Sequence, residues 1–162
     1  MALTKLNNQS IAALTDFNLS TDDLPVGSVL QVVSAATGAD TTFSSTSYTT
    51  MIGATITPTA TSSKILVIYN INSTWKSAAA NNDEANCYLH KNGTGLIHLD
   101  GITPYNQALI GNSAGSVAGT YLDSPNTTSA TTYDFRVSMS NGSLRVNTEG
   151  GTSAMTLLEI AG

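Results

Sequence analysis

After residue 26, apolar and polar positions alternate in twos through most of this chain, which predicts strands and no helices. Residues 131–140 show the pattern most cleanly. Tyr133, Phe135, Val137 and Met139 point one way, and Asp134, Arg136 and Ser138 the other. Such a strand lays one face on a core and turns the other to water. Residues 64–75 form the expected central strand. Ile65, Val67, Tyr69 and Ile71 make one apolar face, and Leu66 and Ile68 begin a second before Asn70, Asn72 and Thr74 take over. Residues 154–160, the last strand, read as apolar on both faces. An antiparallel sandwich needs only one apolar face per strand, so a second one predicts packing against another copy of the chain.

The remaining elements follow from turn chemistry. Residues 27–34 are a first strand, and 41–50 are a polar edge strand or two short ones. A strand ending at Ile56 stops before Pro58, and 57–63 turn the chain. Residues 85–91 and 95–99 make a hairpin about Asn92-Gly93, a strong two-residue turn signal. Residues 101–115 read as a surface loop around Pro104 and Tyr105, and 116–122 as a strand. Asp123-Ser124-Pro125-Asn126 turns the chain, and Asn141-Gly142 makes a second tight hairpin into 144–148. The expected fold is all-β: an antiparallel jelly-roll sandwich of about 8–10 strands. Residues 1–26 fit neither period and read as an extended N-terminal arm, with 27–162 as the jelly-roll domain.

Composition narrows the function classes. Ser and Thr are roughly a quarter of the 162 residues, well above ordinary usage, which suits strands joined by short turns. Charged residues are 10% and the net charge is -5. Six basic residues cannot track a phosphate backbone, so no nucleic-acid partner is expected. Cys87 is the one cysteine, so no disulfide closes within the chain. The first residues hold no apolar run of signal-peptide length, and nothing approaches the ~20 apolar residues of a membrane span. Synthesis in a cytoplasm and no membrane insertion are expected.

No motif of nucleophilic, phosphate-binding or zinc-protease chemistry occurs, and neither an enzyme nor a cofactor is expected. A two-residue turn at Asn92-Gly93 would place Cys87 opposite His98. That pair is half a metal site or a thiol with its base, and equally a buried cysteine beside a surface histidine. Asp22-Asp23 and Asp83-Glu84 are loop carboxylates without the spaced pattern of a calcium loop. Asp134, Arg136, Arg145 and Glu149 lie on outward faces, where ion pairs contribute little. Tyr105 on its loop and Trp75 are the aromatic candidates for a glycan; Trp75 also continues the parity of Ile65 and Ile71, which would place it in the core or at its rim.

Two stretches carry a resemblance. LPVGSVLQVVSAATGADTTFSSTSYTTMIGATITPTATSSKILVIYNI resembles the start of a structural β-domain of marine and cyanobacterial tailed phages, found in head-decoration and fibre proteins. TYLDSPNTTSATTYDFRVSM with a final LLEIAG resembles its close, and MALTKLNNQSIA is similar to the short leaders of such proteins. These domains resemble the trimeric jelly roll of the C1q and tumour-necrosis-factor type. The resemblance implies a homotrimer whose interface takes in the doubly apolar strands, at Leu66, Ile68, Met155 and Leu157. With only about 26 residues before the domain, a capsid decoration or cement protein is favoured over a fibre knob. The arm residues Leu3, Leu6, Ile11, Leu14 and Phe17 would grip the major capsid protein or another virion protein, placing the chain on the capsid surface of the virion. The alternative is a head- or tail-fibre knob that binds a host surface glycan.

Overall fold

The computed structural model describes residues 24–77, 84–99 and 113–162. Among them the alternating segments form ten strands: β1 (Val29–Thr37), β2 (Thr41–Phe43), β3 (Thr49–Ile56), β4 (Lys64–Ser77), β5 (Ala85–Lys91), β6 (Thr94–Leu99), β7 (Ser113–Asp123), β8 (Thr131–Met139), β9 (Ser143–Val146) and β10 (Ser153–Ile160). Every pairing is antiparallel. One sheet runs β3-β8-β5-β6. The other has six strands with β4 at its centre. β7 pairs with one edge of β4 along Ile65–Lys76. The opposite edge is shared: β10 takes Lys64–Asn70 and β9 takes Trp75–Ser77. β1 and β2 lie outside β10 and β9 respectively.

Setting aside the short β2/β9 pair leaves eight strands in two sheets, ordered first-eighth-third-sixth and second-seventh-fourth-fifth. That connectivity is a jelly roll. The all-β sandwich read from the sequence is the fold the chain adopts.

The parities hold along the two best-patterned strands. Ile65, Val67, Tyr69 and Ile71 of β4 face Tyr133, Phe135, Val137 and Met139 of β8 across the sandwich, all buried. Tyr69 packs a tilted ring on Phe135 at 5.3 Å between centroids. Its cross-strand partner is Gly119, where a Cβ would overlap the Tyr69 ring. An alanine there would push the ring out of place.

Two polar groups tie the layers together at one end. Asp123, closing β7, accepts hydrogen bonds from the Tyr133 hydroxyl at 2.6 Å and from Lys91 Nζ at 2.9 Å. Burial, and then the Asp123 carboxylate, push the Tyr133 hydroxyl far above its ordinary range. Glu159 is the second such group, and the sequence pattern hid it. It lies on the inward face of β10, 0% exposed. Gln31 Nε2 donates to it at 2.6 Å, and the Thr59 backbone N–H and hydroxyl donate at 2.6 and 2.7 Å. One carboxylate thus fastens the 57–63 turn and β1 to β10. Burial pushes this carboxyl up; the Ser63 hydroxyl and the Gln31 and Thr59 donors around it outweigh burial and hold it below its ordinary 4.5.

A carboxyl depressed in the folded state stabilises the fold above its ordinary value, and that contribution is lost as pH falls through the folded value. The melting temperature of the wild type should therefore fall as pH drops below 4.5. Glu159→Gln should be less stable at neutral pH by about 1–3 kcal/mol, because the inward donors lose their ionic acceptor, and its melting temperature should depend less on pH over that acid range. Leu157 is also 0% exposed on β10. Leu157→Ala should cost about 2–5 kcal/mol in urea unfolding, whatever the assembly state.

Candidate assembly face

The outward positions of the six-stranded sheet form a ladder that the pairing registers define. Val32 of β1 lies opposite Leu158 of β10, Leu158 opposite Leu66 of β4, and Leu66 opposite Leu122 of β7. Four consecutive strands thus present one unbroken apolar row to solvent. Val32 is 59% exposed and Leu122 52%. The next row is Ser34–Thr156–Ile68–Thr120, with Ile68 39% exposed. Contiguous exposed apolar side chains on a sheet mark an interaction surface more than scattered ones do.

The structure divides the expected interface residues. Leu66 and Ile68 stand on this outer face. Met155 and Leu157 do not: both are 0% exposed and are covered by the chain's own second sheet. The reason is parity. On β10 the inward set is Ser153, Met155, Leu157 and Glu159, so the outward set is Ala154, Thr156, Leu158 and Ile160. Val32, Leu158 and Leu122 were not singled out from the sequence. Each is an ordinary strand residue until the register shows them in one row. The arm residues Leu3, Leu6, Ile11, Leu14 and Phe17, and Tyr105, lie outside the described residues.

Trp75 is the clearest departure from the sequence pattern. Its parity assigns it to the core or rim, yet it sits half-buried on the outer face. A bulge between Ile71 and Thr74, with Ser73 at φ 47°, shifts the pleat by one residue. Beyond it Thr74 and Lys76 turn inward and are buried, and Trp75 faces out opposite Arg145. The Arg145 guanidinium lies 5.9 Å from the centre of the Trp75 ring and is paired with Asp40.

The outer face of the four-stranded sheet is different in kind. Leu96 is an extra residue in the β5–β6 hairpin, so Cys87 lies opposite Leu99 and Tyr88 opposite His98. This corrects the expected Cys87–His98 pair. Cys87 is buried in the core, while His98 stacks on Tyr88 at 4.4 Å. Tyr48 meets Tyr88 edge-on at 5.0 Å, and His90 Nδ1–H donates to the Gly93 carbonyl at 3.1 Å. Asp134 and Arg136 pair within β8, through Arg136 Nε at 2.7 Å. Tyr88 takes the space over Gly95, which has no side chain to fill it. Among the described residues this face is a set of local packing contacts.

No group of three or more His, Cys, Asp or Glu able to hold a metal ion occurs among the described residues. No helix among them is long and apolar enough to cross a membrane.

No family model matches the chain, and no curated protein matches it. Among solved structures, a subviral particle of infectious bursal disease virus VP2 aligns at TM-score 0.45 with 17% identity, over 82% of this chain and 33% of that one. The structure of the Gx strain of the same virus aligns at TM-score 0.48 with 15% identity, over the same shares. The chain therefore spans about a third of the length of these structures.

Proposed function

We propose that this chain is a non-enzymatic structural protein of a phage virion, a homotrimeric decoration protein held on the capsid surface by its N-terminal arm. The single observation that carries the assembly half of this reading is the apolar row Val32–Leu158–Leu66–Leu122. A solvent-facing row of four aliphatic side chains on a jelly-roll sheet is explained by a second copy covering it. Covering each fully would contribute about 1.5–3 kcal/mol, set against the association entropy. The β-domain resemblance of residues 24–71, 120–139 and 157–162 supports the virion setting. Leu3, Leu6, Ile11, Leu14 and Phe17 are apolar enough to fill grooves between capsid subunits.

Two measurements test the two halves separately. The wild type should sediment at three times the chain mass, and Leu66→Asp combined with Leu122→Asp should sediment as single chains with an unchanged far-ultraviolet circular dichroism spectrum. A wild type that sediments as single chains would overturn the trimer. Removing residues 1–20 should leave the trimer intact and abolish its co-sedimentation with undecorated capsid shells. Undiminished binding by the truncated protein would overturn the anchoring role of the arm.

A further inference from the structure

The bulge that turns Trp75 outward belongs to a corner built at some cost in backbone strain. Ser73, Asn147 and Glu149, none of them glycine, have φ of 47°, 60° and 57°. Left-handed backbone at ordinary residues costs on the order of 1–3 kcal/mol each and persists where the surroundings over-determine it. Here they do. The Asn147 N–H donates to the Asn72 carbonyl at 3.1 Å, and the Thr148 hydroxyl to the Ser73 carbonyl at 2.9 Å. Ser153 Oγ donates to Asn147 Oδ1 at 2.6 Å, and Asn147 Nδ2 to the Ala39 carbonyl at 3.1 Å. Gly151 lies so close to Ser73 that a Cβ there would overlap the serine side chain.

What this corner presents is a cleft of about 450 Å³, lined by Ser73, Trp75, Gly115, Arg145, Thr148 and Glu149. The volume falls in the ~300–1,000 Å³ range of small-ligand sites. One wall is an indole. The rim carries a guanidinium, a carboxylate and hydroxyls. Arg145 is already neutralised by Asp40, so the unbalanced charge at the rim is that of Glu149. With a net charge of -5 on the chain as well, an anionic ligand is disfavoured. Glu149 is exposed and makes no hydrogen bond among the described residues. It is followed by Gly150 and Gly151, so glycine is used freely here; yet the left-handed position before them carries a carboxylate.

We propose that this cleft is a carbohydrate-binding site for a neutral pyranose, the apolar C–H face of the sugar lying on Trp75 and its hydroxyls donating to Glu149 and accepting from Arg145. An aromatic wall with a carboxylate and a guanidinium at its edge matches both faces of such a ring. Trp75 lies nine residues along β4 from Leu66, about 30 Å at the rise of a strand, so the site does not depend on the assembly reading.

Trp75 is the one tryptophan of the chain, so its emission reports on this cleft directly. The full chain is titrated with glucose, galactose, mannose, N-acetylglucosamine and their short oligosaccharides, following Trp75 fluorescence and, in parallel, heats of binding. At least one sugar should give a saturable emission change with a matching heat. Glu149→Gly removes the carboxylate and relieves the left-handed backbone, so the fold should survive; it should weaken that binding at least about tenfold, the loss of one charge-assisted hydrogen bond or more. Trp75→Ala should abolish the heat while its thermal melt stays cooperative. Absence of a saturable change across the panel overturns the proposal, and so does binding that Glu149→Gly and Trp75→Ala leave unchanged.

Discussion

One left-handed residue in the central strand governs the layout of this molecule. Up to Ile71, β4 obeys the alternation of its side chains and serves the core. At Ser73 the pleat slips by one. The same slip ends the pairing with β10 and lets β9 take over that edge, so two short strands share a boundary that one long strand would otherwise hold. The backbone groups it displaces are gathered by side chains: Asn72 N–H donates to Ser153 Oγ at 3.0 Å, and Asn72 Nδ2 to the Thr152 carbonyl at 2.8 Å. Bulges redirect side chains at sheet rims in this way. Here the consequence is a single sheet whose outer face has two characters, aliphatic before the slip and aromatic-polar after it.

These two characters divide the labour proposed for the protein. The aliphatic end offers area without specificity, suited to a copy of itself. The polar end offers few groups held firmly, suited to a small polyhydroxylated ligand. A decoration protein with a sugar site would assemble with its own copies through one end of a sheet and sample the surroundings by the other. On the four-stranded sheet the outer aromatic and histidine side chains pack on one another, as the Tyr88–His98 stack shows.

Much of the fold was legible because turn chemistry and period agreed. Asn92-Gly93 does join β5 to β6, with both residues at positive φ, and the alternation of β8 is the alternation of its burial. What escaped was whatever depends on a single inserted residue. Leu96 shifted the hairpin register and removed the Cys87–His98 pair; Ser73 moved Trp75 from core to surface. Neither bulge residue has a composition that announces it. The apolar character of β10 was read correctly, but its sidedness was not. Reading β10 as apolar on both faces passed over Glu159, an inward carboxylate whose donors come from Gln31 and Thr59, far away in the chain. The candidate face needed the register of four strands at once, which no local window contains.

That distance has a consequence for how the molecule is made. Gln31 and Glu159 are separated by 128 positions, and β10 lies between β1 and β4. Until residue 160 is synthesised, β1 has no neighbour on that side and β4 keeps half of one edge bare. An aliphatic strand with an open edge is a template for pairing with another chain. Closure of the jelly roll is thus a late, long-range event, and topologies of this kind fold slowly. During synthesis this protein is exposed to misassembly in the interval before β10 arrives, and the carboxylate of Glu159 leaves water only when that strand docks.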